Sequence, residues 1–321
     1  MSNPSRRSCF LLGLVWTAIL FACTGATCMP RKVIPDLQPP AVFSTPPSVE
    51  QLTEVLNRSN QIQSLQSNSV SIRVNNQVSV NANLTWLRPS NFRMNATVAG
   101  VKVVDMGSNS ELFWMTIREG LTPVMYFARH SEFENLVDRP ILPVSPLWLV
   151  EALGVVTLDP YQMIQAPVMR PDGRMELTTT VPSPIGNFQR ILVVEPMYGI
   201  TRQVFLKDPV GRQVAVANQS KHEYYSAVQT SLPHQIQIQL SDNHGIEHNL
   251  EVTIGSYVVN GMSNDPGTLF AFPNTYGFES RNLVELSQGN PKAVTPMPIA
   301  PPQTFPHASY RGVPWDNSLS R

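Results

Sequence analysis

The feature that most limits how this chain can fold is a set of short, strand-like runs between residues 84 and 115. Leu84 to Met94 carries Trp86, Phe92 and Met94. Val103 to Met106 follows, and Leu112 to Met115 carries Phe113 and Trp114. Turn residues divide the runs, among them Pro89-Ser90-Asn91 and Gly107-Ser108-Asn109. Neighbouring strands joined by tight turns pair antiparallel. Large apolar side chains on such a pleated surface gain free energy only when something covers that face. The face is therefore either ordinary core or a surface kept for an apolar ligand. Alternation puts Leu84 and Trp86 on one face, and Leu112 and Trp114 on one face, without saying which face is concave.

The same period of two runs through Val70-Ile72-Val74 and through Val78, Val80, Ala82, Leu84 and Trp86, with Asn75-Asn76 as a hairpin turn between them. It returns in Val124 to Phe127, Phe188 to Val194, Ile200 to Leu206, Val214 to Ala217, Ile236 to Leu240 and Leu250 to Ile254. Asp208 to Gly211 and Asp242 to Gly245 read as turns. Two helices interrupt the pattern. Ser48 and Gln51 form a capping box ahead of Val49, Leu52, Val55, Leu56, Ile62 and Leu65 at helical spacing. Ser145 and Pro146 open a second helix that runs to Gly154 and has Glu151 as its only charge. The expected architecture is α+β: about ten antiparallel strands curled around an apolar face that the helices cover.

The N-terminus reads as a delivery signal. Arg6 and Arg7 precede an apolar run from Cys9 to Ala22, shorter than the roughly 20 residues a membrane-spanning helix needs. Ala22-Cys23 resembles the bacterial lipobox, in which the cysteine is diacylated and becomes the mature N-terminus. Thr24 in place of Asp argues against retention in the inner membrane. The alternatives are an ordinary secretory signal cut nearby, twin-arginine export from Ser5-Arg6-Arg7, and an uncleaved anchor. Cys9, Cys23 and Cys28 are the only cysteines, so the body of the chain holds neither a disulfide framework nor a thiolate metal site. The expected organisation is a signal peptide over 1–22, a proline-rich tether over 23–47, a folded domain over 48–288 and a proline-rich disordered tail over 289–321. Lys and Arg total 23 against 23 Asp and Glu. With no basic block, nucleic acid is not an expected partner.

Leu87-Arg88-Pro89-Ser90-Asn91-Phe92-Arg93-Met94, then Asp105-Met106-Gly107 and Leu112-Phe113-Trp114, resembles the periplasmic lipoprotein carriers and outer-membrane lipoprotein receptors of the Lol type. Leu232-Pro233 ahead of Ile236, Leu269 to Pro273, and Val284-Glu285-Leu286 resemble the later parts of that family, so the match spans most of residues 48–287. The resemblance implies an open half-barrel with helices as a lid over a cavity for acyl chains, and it gives Arg88 the role of holding the lid. This chain is longer than typical members, both proline-rich ends are foreign to the pattern, and the protruding apolar loop of the receptors has no evident counterpart.

Leu84, Trp86, Phe92, Met94, Trp114, Tyr126 and Trp148 are the candidate lipid contacts. Acyl chains need a wide apolar surface with few directional groups, and methionine adapts to varied chains. The competing reading is that the same residues only pack sheet against helix. His244-Gly-Ile-Glu247-His248 spells an inverted zinc-peptidase motif, yet it lies between alternating strands, where neighbouring side chains face opposite ways. His130, His222 and His234 lack companions at ligand spacing, and Glu132 and Glu134 sit in a polar stretch. No catalytic residue, metal or cofactor is expected. The expected function is that of an envelope lipoprotein, anchored through Cys23 on the periplasmic side of the outer membrane, which binds acyl chains of lipids or lipoproteins. The alternative is a structural lipoprotein with a filled core and an envelope protein as partner. A zinc hydrolase is the least favoured.

Overall fold

A computed structural model describes residues 40–75, 79–98, 101–119, 122–139, 141–242, 245–274 and 279–289. Among these residues, fourteen strands lie on one continuous sheet path, and a fifteenth short strand pairs beside it. In chain order they are β1 (Ser64–Val74), β2 (Ser79–Leu87), β3 (Asn91–Val98), β4 (Val101–Ser108), β5 (Leu112–Glu119), β6 (Thr122–Arg129), β7 (Val168–Met169) and β8 (Met175–Val181). There follow β9 (Phe188–Glu195), β10 (Ile200–Lys207), β11 (Gln213–Tyr225), β12 (Thr230–Ser241), β13 (Glu247–Ile254), β14 (Val258–Val259) and β15 (Glu279–Asn282). The spatial order is β15-β6-β5-β4-β3-β2-β1-β13-β12-β11-β10-β9-β8-β7. The two hairpin meanders, β1 to β6 and β8 to β13, are joined where β1 pairs antiparallel with β13. The exception to antiparallel pairing is β15, which lies parallel to β6. The result is the open antiparallel half-barrel of the α+β class.

The strand count exceeds the expected ten. Met175–Val181 escaped because Thr178, Thr179 and Thr180 replace apolar residues in its alternation, although threonine is itself a strand former. The others missed are two to four residues long, too short for any periodicity to register. Turn backbone is seen at Asn75, with φ +48°, and at Gly211, with φ +86°. Asp208 closes its turn by accepting from the amides of Val210 and Arg212.

The first helix, α1 (Val49–Leu56), carries the full capping box between Ser48 and Gln51. It is shorter than the helical spacing implied. A tight turn over Asn57–Gln61 follows it, and Leu65 belongs to β1. Short α2 (His130–Phe133) follows β6, and α3 (Pro146–Ala152) is the apolar helix. Ser145 stands at its N-cap without a side-chain hydrogen bond, and Gly154 ends it at φ +91°. Leu147 is exposed, so α3 is covered on one side rather than all round. Two further short helices, α4 (Pro266–Leu269) and α5 (Leu283–Ser287), flank β15. Among the described residues no helix is long and apolar enough to cross a membrane.

One face of the sheet bears the main core. Leu65, Leu84, Trp86, Phe92, Leu177, Leu192, Val204, Ala217 and Ile236 pack there against Leu52 and Leu56 of α1 and Trp148, Val150 and Ala152 of α3. Leu142, Val144, Leu153, Val156 and Leu158, from the segments flanking α3, complete the cover.

Candidate functional site

Register fixes which candidates share a face, because directly opposed residues of an antiparallel pair point to the same side. Leu65, Trp86, Phe92, Ser108, Phe113 and Ala128 form one inner row across β1 to β6. Leu84, Met94, Met106, Met115 and Tyr126 form the next. Five of the predicted contacts, Leu84, Trp86, Phe92, Met94 and Tyr126, thus line the inner floor together. Trp148 joins them from the cover.

Trp114 does not. It lies in the row Thr85, Arg93, Gly107, Trp114 and Phe127, on the opposite face. Its indole lies so close over Gly107 that a Cβ there would come within 2.2 Å of Cζ2. Arg93 stacks on the ring at 5.1 Å and pairs with buried Asp105 at 2.8 Å. Phe272, from the segment between β14 and β15, meets the ring edge-on at 5.5 Å. The prediction for Trp114 is therefore corrected: it is the centre of a second, outer cluster. Alternation gave the two faces of β5 but not their phase relative to β2, which the turn registers set.

Much of the floor is closed. Leu84, Trp86, Phe92, Tyr126 and Trp148 are all 4% exposed or less, while Met94, Met106 and Met115 are half-buried. A recess of about 100 Å³ lies at one end, among Val137, Arg139, Phe188, Asp208, Val210 and Val214. Arg139 is sandwiched there between Phe133 at 4.5 Å and Phe188 at 5.1 Å. Burial holds its guanidinium below the usual arginine range. The recess is smaller than the roughly 150 Å³ that accommodates a benzene ring, so it does not by itself house an acyl chain.

Polar groups fasten that cover. Arg190, on the inner face of β9 and 6% exposed, reaches Glu151 of α3 at 2.6 Å, the carbonyl of Thr157 at 2.9 Å and the Thr179 hydroxyl at 3.1 Å. Gln219 of β11 donates to the carbonyls of Glu151 and Ala152 at 3.1 and 3.0 Å. Gly154 passes so near Pro233 that a Cβ would meet its ring at 2.6 Å. At the far end of the cover, Asn57 exchanges two hydrogen bonds with Leu158, at 2.7 and 2.8 Å, and Ser59 donates to the carbonyl of Val156. Arg88 acts one step back. It donates to the carbonyls of Ile62 and Ser59 at 3.1 and 3.3 Å and sits 5.2 Å over the Trp86 ring. It thus steadies the turn that holds the cover, rather than the cover itself.

Arg190 and Gln219 went unnoticed in the sequence, although a signal was present. Phe188, Leu192 and Val194 alternate as core residues, and Arg190 stands in their phase; Gln219 likewise follows Ala215 and Ala217.

The histidines play other parts. His222 is buried against Arg202 at 3.2 Å, and burial first, then that cation, lowers its pKa to about 3. His234 lies among Tyr225, Tyr257 and Glu223. In the zinc-like motif, Glu247 and His248 are consecutive residues of β13, paired with Ser241 and Leu240, and His244 lies outside the described residues. Among those residues, no group of three His, Cys, Asp or Glu is placed to hold a metal. Cys23, the proposed lipidation site, also lies outside the described residues.

No family model and no curated protein sequence matches the chain. Solved structures similar to it include a domain from Vibrio parahaemolyticus assigned to outer-membrane lipoprotein sorting, at 7% identity over 68% of this chain and 97% of that one, with a TM-score of 0.45. A LolA superfamily protein from Nitrosomonas europaea is 13% identical over 69% of this chain and 97% of its own, with a TM-score of 0.41. A DUF1329 family protein from Desulfovibrio piger is 11% identical over 68% and 96%, with a TM-score of 0.43. At TM-scores below 0.5 these likenesses carry no further weight, and the fold rests on the sheet's own topology.

Proposed function

We propose that this chain is an envelope lipoprotein that binds the acyl chains of lipids or lipoproteins, without chemistry, between the inner floor of its half-barrel and the cover around α3. Acylation at Cys23 would anchor it, with residues 23–47 as tether, on the periplasmic side of the outer membrane. The observation that carries the reading is how the interior is closed. The floor is a mainly apolar sheet surface interrupted by Thr179, Arg190 and Gln219. On it lie α3 and the residues after it, through Trp148, Val150, Ala152 and Leu158, with side-chain hydrogen bonds from Arg190, Gln219, Asn57 and Ser59 fixing their position. A cover held in that way can be exchanged for an acyl chain that buries similar apolar area, since both gain about 25 cal/mol per Å².

A second reading has its own support. The floor is already filled by the chain's own side chains, as a structural lipoprotein with an envelope protein partner would have it. Native mass spectrometry of the full chain, purified without detergent, separates the two. Acyl-chain binding predicts lipid adducts, and uptake from added vesicles when none co-purify. No adduct and no uptake, with a crosslinked protein partner lost on deleting residues 289–321, would establish the second reading.

A further inference from the structure

The indole N–H groups of Trp86, Trp114 and Trp148 are buried without an acceptor among the described residues. Protein interiors satisfy the great majority of their polar groups, and an indole can only donate. Two of these tryptophans belong to the same core cluster between floor and cover. Trp86 stands on the floor, in β2, and is 2% exposed; Trp148 stands in the cover, in α3, and is 4% exposed. Arg88 lies over the face of the Trp86 ring and, being a donor itself, offers that N–H no acceptor. A ligand that entered between floor and cover beside these two indoles would find an unmet donor on each side. A bare hydrocarbon chain leaves both unsatisfied. A chain joined through an ester or amide brings a carbonyl oxygen.

We propose that Trp86 and Trp148 recognise the carbonyl linkages of a diacyl ligand, so that the site selects acyl chains over alkyl chains of equal length. The inference rests on the acyl-chain reading above and adds the ligand's chemical class to it. Trp114 provides a control within the molecule. Its N–H is equally buried, but it lies on the outer face beneath Phe272, out of a ligand's reach.

The test is calorimetric binding of two soluble probes to the full chain: dihexanoylphosphatidylcholine and its di-O-hexyl ether counterpart, both as monomers. The diester is expected to bind about tenfold more tightly, the gain of one to two net N–H···O bonds. Trp86→Phe and Trp148→Phe should each bring the ratio towards one, while Trp114→Phe leaves it unchanged. Equal binding of the two probes would overturn carbonyl recognition and leave acyl-chain binding standing. A failure of both probes to bind would overturn the acyl-chain reading itself. A tenfold ratio that survives in both Phe variants would overturn the assignment to these indoles. Thermal melts screen the variants for folding, and the ratio measured on the unaltered chain decides the matter where a variant does not fold.

Discussion

Where β2, β3 and β6 offer the interior Leu84, Trp86, Phe92 and Tyr126, strands β8, β9 and β11 offer Leu177, Leu192 and Ala217 interrupted by Thr179, Arg190 and Gln219. The inner residues of both halves are buried. They differ in what they do to the cover. The first half attracts it without direction, through apolar area. The second fixes its position with a buried guanidinium and a buried amide. A cover held only by apolar contact would slide, and one held only by polar contact would gain little from closing. Divided this way, stability comes from one half and the closed geometry from the other.

The largest expected effect is on the apolar half. Trp86→Ala and Trp114→Ala each remove a fully packed indole and should cost roughly 3–5 kcal/mol in denaturant unfolding. They should part company in binding. Trp86→Ala should abolish lipid uptake per folded molecule, whereas Trp114→Ala, on the outer face, should leave it unchanged. Equal losses of uptake would mean that the two faces are not functionally distinct.

Acid should weaken the other half. His222 in β11 is held neutral, its pKa lowered to about 3, while the unfolded chain takes up a proton near the ordinary value of about 6.5. The unfolded state therefore binds more protons between those values, and stability falls as pH drops through that window. The loss from this group at pH 5 is about 2 kcal/mol. His222→Gln should flatten the dependence of the unfolding free energy on pH over that range. An unchanged slope would show that His222 is solvated.

How much of this was legible in the sequence differs between the halves. The inner floor of β2 and β3 could be read because Leu84-Trp86 and Phe92-Met94 alternate cleanly with polar neighbours. The helix at Ser145-Pro146 was equally plain, and so was the capping box at Ser48. Trp114 was misjudged because alternation within β5 says nothing of how β5 is phased against β2; Gly107, which admits the indole, was the available sign of a close approach on the outer face. The cover's fastening was missed because Arg190 and Glu151 are 39 residues apart. A lone arginine in an apolar alternation and a lone glutamate in an apolar helix are the traces that pair leaves in a sequence.

Arg190→Ala should therefore act locally. It leaves the Glu151 carboxylate and the Thr157 carbonyl without their partner, at a cost of about 2 kcal/mol once the partial exposure of Glu151 is allowed for. Hydrogen exchange should quicken tens-fold in the amides of Val150 to Leu158, while those of β2 and β3 keep their protection. A uniform loss across the sheet would mean that the two halves unfold as one unit and that the cover does not open by itself.

The smallest effect, and the one that most sharpens the comparison, is at Arg88. Its guanidinium is partly exposed, and its two hydrogen bonds end on the carbonyls of Ile62 and Ser59. Arg88→Ala should cost about 1 kcal/mol, and it should reach the cover only through Ser59 and its bond to Val156. Exchange of the Val156 to Leu158 amides should thus rise a few-fold, well short of the change in Arg190→Ala, and lipid release should follow the same order. Were Arg88→Ala to free the cover as fully as Arg190→Ala, the clamp would belong to the aromatic half after all. The division of labour between the two halves of the sheet would then be wrong.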